Sequence, residues 1–125
     1  MDYTLENLDV YKQAESFSDK IWNMVQSFDY FTKDTIGKQV ARSEDSISAN
    51  IAEGYGRHYF KESKQFYFFA RGSIQETKSW LGKCERRNLI YKVICTNLIE
   101  EANLILLKLN SYIKFISEVQ KKNIK

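Results

Sequence analysis

The stretch richest in chemically capable side chains runs from Gln39 to Arg57. On a helix, Arg42, Ser46, Asn50, Glu53 and Arg57 follow three- and four-residue steps and share one side, next to a row carrying Ser43 and Asn50. Arg71-Gly72-Ser73 and Glu76 answer them further along. Two carboxylates, Glu53 and Glu76, among arginines and serines are the raw material of acid–base chemistry or of half a metal site. The remaining parts of such sites are missing. A di-metal bundle uses two Glu-x-x-His motifs, and the only histidine, His58, follows no such pattern. Ser43 or Ser46 as a nucleophile needs a base, and no histidine lies on that face. The set therefore reads as non-catalytic and free of cofactor and metal. It is expected to form a buried polar network, with Arg42 or Arg57 paired to Glu53 or Glu76 and Asn50 bonded across helices, or to lie across a subunit contact. A partner or ligand contact is the other reading. Gly54-Tyr55-Gly56-Arg57 follows a helical pattern and lacks the Gly-Lys-Ser/Thr ending of a phosphate loop, so it marks a helix end or kink.

Four helical patterns position these residues, at about 8–28, 35–57, 61–87 and 93–119, within one domain spanning residues 1–125. The complete absence of proline suits long helices. In the first, Tyr11, Ala14, Phe17 or Ser18, Ile21, Val25 and Phe28 form one face, widened by Trp22 and Met24. The second begins at Asp34 or Thr35 as cap and carries Ile36, Val40, Ser43, Ile47, Asn50 and Gly54 inward. The third carries Phe66, Phe69 or Ala70, Ser73, Thr77, Trp80 or Leu81, and Cys84. Gly72 and Gly82 inside it each cost about 1 kcal/mol against alanine, which close helix contact would offset. Phe66-Tyr67-Phe68-Phe69 puts rings on all sides, two in the core and two needing another cover. The fourth is a sustained heptad, Leu98, Ala102, Ile105, Leu109, Tyr112, Ile116 and Val119, beside a second stripe of Ile94, Leu106, Ile113 and Phe115. A basic, frayed tail, 121–125, follows. Short connections imply antiparallel neighbours, hence an all-α, up-down-up-down four-helix bundle.

Cys84 and Cys95 lack metal-site spacing and read as reduced, partly buried thiols of a cytoplasmic protein. The N-terminus has no signal-peptide pattern, and no apolar run approaches the roughly 20 residues of a membrane span. Charge is unevenly placed. Residues 1–34 hold three lysines against seven acidic residues, a balance of −4, whereas residues 35–125 balance at +7. That asymmetry suits an anionic partner or complementary faces in self-assembly.

At the residues singled out above, the chain resembles the four-helix bundle proteins related to the 23S ribosomal RNA intervening-sequence protein. The match runs in order from residue 5 to about 90. It comprises Leu8-Asp9-Val10-Tyr11 with Ala14 and Ile21-Trp22, Gln39 with Arg42-Ser43, and Ser46-Ile47 with Asn50 to Arg57. Lys61-Glu62, Phe66 and Ala70-Arg71-Gly72-Ser73 with Glu76 continue it. The fourth helix matches only in its heptad character. The resemblance implies an antiparallel bundle assembled as a ring, with five subunits. It is similar to the accessory protein of diversity-generating retroelements, which implies RNA or DNA and a reverse transcriptase as partners. In this chain the nucleic-acid-binding candidates are Lys78, Lys83, Arg86, Arg87 and Lys92, set against one acid, Glu85. Lys83, Arg86 and Arg87 share a side at helical spacing. A solvated helix end whose cations suit the dipole is the simpler reading of the same residues. A protein-binding scaffold without nucleic acid is the alternative function.

Overall fold

The computed structural model describes residues 4–123. Residues 1–3 of the N-terminal segment and 124–125 of the basic tail lie outside the described residues. Helix α1 is Asp9–Gln26. Helix α2 is one rod in three parts, an α-turn Tyr30–Thr32, a π-turn Lys33–Gly37 and an α-helix Lys38–Tyr55. Helices α3, Phe60–Arg86, and α4, Lys92–Asn123, follow. Consecutive helices pack side by side and α1 closes against α4, so the chain is an antiparallel four-helix bundle, with no strand among the described residues. The α2–α3 seam is the most extensive and the α1–α4 seam the loosest. No helix is long and apolar enough to cross a membrane.

The four rows anticipated above supply most of the core. Ala14, Phe17, Ile21 and Val25 of α1 meet Val40 and Ile47 of α2, Ala70 and Leu81 of α3, and Leu98, Ile105 and Leu109 of α4. Val10, Ile51, Tyr67 and Ile74 join the core from off those rows, whereas Phe66, Ser73 and Trp80 of the anticipated α3 row are only partly buried. Each large aliphatic side chain so buried is worth about 1.5–3 kcal/mol. The ion pairs that cross from α1 to α4, Lys20 to Glu101 at 3.1 Å and Asp9 to Lys108 at 2.6 Å, lie at the surface and add at most about 1 kcal/mol each. The apolar rows therefore decide the fold. Both thiols are buried and free, Cys84 on α3 and Cys95 on α4, and Cys95 Sγ approaches the Leu81 carbonyl at 3.5 Å.

Several expectations are corrected. α2 starts earlier than residues 34–35, because Asp29 caps it, its Oδ1 accepting from the Thr32 amide at 2.8 Å. The π-turn then absorbs Asp34 and Thr35, and Asp34 pairs with Lys38 at 2.6 Å. α4 does not end at residue 119 but continues as helix through Asn123. Trp22 is half exposed, and of the second stripe on α4, Ile113 belongs to the core while Ile94 and Phe115 face solvent. α3 ends as a Schellman motif: the Leu89 amide donates to the Cys84 carbonyl at 2.8 Å, the Asn88 amide donates to Glu85, and Asn88 takes φ 60°.

Two glycines correct the packing expectation in opposite senses. Of the four aromatic residues at 66–69 only Tyr67 is buried, not two. Its ring lies directly on Gly54, where a Cβ would stand 2.5 Å from Tyr67 Cε1 and 3.0 Å from the Ser63 carbonyl. The other edge of the contact is a T-shaped pair with Tyr112, centroids 5.5 Å apart. Gly54 thus serves close approach rather than a turn, and helix α2 ends just beyond it with Gly56 in an ordinary right-handed conformation. Gly72 and Gly82 show no close helix contact: a Cβ at Gly72 would meet nothing within 4 Å, and one at Gly82 only the flexible end of Arg86.

Gly54→Ala should therefore cost about 1–3 kcal/mol by overpacking. Gly72→Ala should instead stabilise the isolated fold, by up to about 1 kcal/mol of helix propensity. Chemical denaturation of the two variants beside the parent checks both signs, and equal effects would refute the Gly54–Tyr67 contact as the determinant.

Candidate functional site

The distinctive residues of α2 and α3 separate by chemistry. The hydroxyls go inside. Ser46 and Ser73 oxygens lie 2.5 Å apart across the seam, and Thr77 reaches Ser43 at 3.0 Å. Each hydroxyl also finds a carbonyl on its own helix, as in Ser43 to Val40 at 3.0 Å and Thr77 to Ser73 at 2.7 Å. These short side chains satisfy themselves within one turn and let the helices come close, so burial costs little. No titratable base joins them, and His58 sits beyond the end of α2, packed edge-on to Tyr59.

The charged members go outside, which corrects the expectation of a buried network between α2 and α3 within the chain. Arg42 donates to Gln39 Oε1 at 2.8 Å, and Glu53 pairs with Arg57 at 3.5 Å. Glu76 accepts from Trp80 Nε1 at 3.1 Å. Asn50, half-buried, donates to the Ser46 carbonyl at 2.8 Å on its own helix instead of bonding across. Each of these bonds is a three- or four-residue step along one helix, the least demanding geometry available to them. Only Arg57 spans the seam, its guanidinium 4.6 Å from the Phe66 ring centroid. Arg71 lies over Phe68 at 5.2 Å on the exposed side of α3, beside the open Gly72.

The basic candidates are brought together only in part. Arg86 and Arg87 are exposed at the end of α3, and Lys92 is exposed at the start of α4 beside them. Lys83, expected to share a side with the arginines, folds over the Trp80 ring at 4.7 Å, and Lys78 is half-buried two turns back. Trp80 draws Lys83 away because an ammonium keeps much of its hydration there while facing the ring. Among the described residues, no group of three or more His, Cys, Asp or Glu could hold a metal ion.

Apolar side chains remain uncovered on both flanks of α4. On the α3 side, Phe68, Gly72 and Leu106 border a groove of about 500 Å³. On the α1 side, Leu8, Leu104 and Leu107 border one of about 300 Å³, with Leu107 63% exposed.

The family model described as 23S rRNA-intervening sequence protein matches residues 6–111. The chain belongs to this family. A crystal structure from Bacteroides thetaiotaomicron, described as a protein of unknown function from the S23 ribosomal protein family, is similar with a TM-score of 0.76. It shares 24% identity and the similarity covers 84% of this chain and 98% of that one, which shows the fold alone. None of the curated proteins matches the sequence.

Inside this member of the intervening-sequence family lies one acid that the sequence reasoning missed. Glu44 of α2 is completely buried, and neither carboxyl oxygen makes a hydrogen bond of good geometry, the nearby Ser18 hydroxyl donating to Asp45 instead. Burial is the main cause that pushes its pKa from an ordinary 4.5 up to about 9; the Ser18 hydroxyl opposes it, and the nearby Asp45 and Asp19 push the same way as burial. Asp45 itself stays at the surface and accepts from the Ser18 hydroxyl at 2.6 Å. The signal was available: Glu44 sits four residues after Val40 and three before Ile47, squarely on the apolar row.

The folded chain thus keeps a proton on Glu44 that the unfolded chain loses. Its stability contribution is full below pH 4.5 and declines as pH rises toward about 9, by up to about 1.4 kcal/mol per pH unit. Glu44→Gln, a neutral isostere, should match the parent near pH 4.5 and exceed it at pH 8. Urea denaturation across that window tests this, and parallel curves for the two proteins would show Glu44 to be hydrated and ionised.

Proposed function

We propose that this chain is a non-catalytic, cytoplasmic subunit of a homo-oligomeric ring, five-membered, that associates with nucleic acid through the end of α3. The uncovered apolar surface flanking α4 carries the reading. A second copy is the occupant that suits it best. The two grooves differ from each other and lie on opposite sides of one helix, which favours head-to-tail contact that closes into a ring. Charge complements this geometry. Arg71 borders the α3-side groove, whereas the α1-side groove carries the Asp9–Lys108 pair, whose carboxylate could exchange its lysine for the Arg71 of a neighbour. The acidic first segment and the basic remainder would then meet at each junction.

Ring assembly repeats the exposed Arg86, Arg87 and Lys92 once per subunit, and a weak anion site becomes a multivalent one. Phosphate contacts of this kind tolerate any sequence and weaken steeply with salt. The Arg42, Glu53 and Glu76 row favours a second reading, a protein scaffold, because those charges are exposed with partners only on their own helices.

Light scattering coupled to gel filtration should give five times the mass of the chain at micromolar concentration, and Leu107→Asp should lower it while leaving helical content intact. A monomeric parent would sink the assembly reading. Replacing Arg86, Arg87 and Lys92 together by glutamine should weaken binding to structured RNA, single strands and duplex DNA alike and flatten the salt slope. No binding of the parent to any of the three at low salt would leave the protein scaffold as the function.

A further inference from the structure

Where the ends of α1 and α3 meet the start of α4, an open pocket of about 800 Å³ lies beside the exposed cations. That volume falls in the range of small-ligand sites. Met24 and Leu89 give it an apolar floor, and Tyr91, a residue 78% exposed, stands at its edge. Asn23, Glu85 and Asn88 also line it, and none of their side chains makes a hydrogen bond or ion pair among the described residues. Asn88 is held there at φ 60°, a conformation in which glycine is the usual occupant. With asparagine, an amide is aimed at the pocket rim at some conformational cost.

These groups select their ligand. Lys20 of the lining is already paired to Glu101, which leaves the Glu85 carboxylate as an unpaired acceptor beside Lys92, and that acceptor suits a ligand group carrying N–H donors. Phosphates suit the rim, which Lys92 lines, and Arg86 and Arg87 are exposed in the adjoining turn at the end of α3. An open aromatic ring beside a cationic rim is the combination used to stack unpaired bases while holding the backbone. We propose that the pocket takes one unpaired base of a single strand, with its flanking phosphates on Arg86, Arg87 and Lys92. Guanine fits best, because its N1–H and N2–H can both donate to one carboxylate, as an Asp or Glu accepts from base amino groups elsewhere. A duplex has those edges already paired and cannot present them. This rests on the nucleic-acid reading above and adds the class of strand and the base to it.

Fluorescence anisotropy with two RNA strands of about 12 nucleotides, long enough for a single-strand site, provides the test. One is all uridine and the other carries a single central guanosine. The guanosine strand should bind at least about fivefold more tightly, the lower bound for a good bidentate base contact. Glu85→Gln should abolish that preference while uridine-strand binding persists. Asn88→Gly, which suits the positive φ and so keeps the fold, should reduce it. Equal binding of both strands by the parent would overturn the pocket and leave the electrostatic reading standing. Binding of neither strand at low salt would overturn both. Guanosine monophosphate binding more tightly than the guanosine strand would overturn the strand as occupant, in favour of a free mononucleotide.

Discussion

The contact of Tyr67 with Gly54 sets the arrangement of everything around it. A ring can lie on a helix backbone only where a Cβ is absent, so α2 and α3 have one position at which they fit along their length. In that register Ser43 comes opposite Thr77 and Ser46 opposite Ser73. The same register turns Phe68 and Phe69 out of the core and places Phe66 under Arg57. The exposed aromatic surface of α3 is thus a geometric consequence of what its one buried ring requires.

Polar groups in this interior follow two regimes. The hydroxyls of the α2–α3 seam each return to a carbonyl of their own helix and so specify a close, aligned seam at small cost. Glu44 gains little from the nearby Ser18 hydroxyl, and a carboxylate held in an apolar row between α1 and α2 is expensive unless it takes up a proton. One seam is insensitive to solution conditions and the other depends on them. The loosest seam, between α1 and α4, is bridged at its surface by two ion pairs and borders an uncovered groove.

Much of this architecture was legible in the sequence. Three- and four-residue spacing located four helices to within a few residues, and the heptad of α4 identified most of its buried row. Phase failed where the signal carried every phase at once: a run of four aromatics is inward-facing at any rotation, and only the partner glycine selects Tyr67. The start of α2 was misplaced because Asp29, Asp34 and Thr35 are all competent caps, and the π-turn hides the break. Residue type pointed to the cations at the end of α3. It could not show that Trp80 withdraws Lys83, nor that Asn23 of α1 reaches the pocket beside Tyr91, since those relations exist only once distant segments are packed.

The two buried thiols have a practical consequence. Cys84 and Cys95 face each other's helices across the α3–α4 seam, and burial pushes the pKa of Cys84 to about 11. A thiol that is neither accessible nor ionised is inert to alkylation. Its labelling then waits on the separation of α3 from α4, and the rate at which reagent is consumed becomes a clock for that opening. The chain carries its own reporter, at native positions, for how often the bundle breathes.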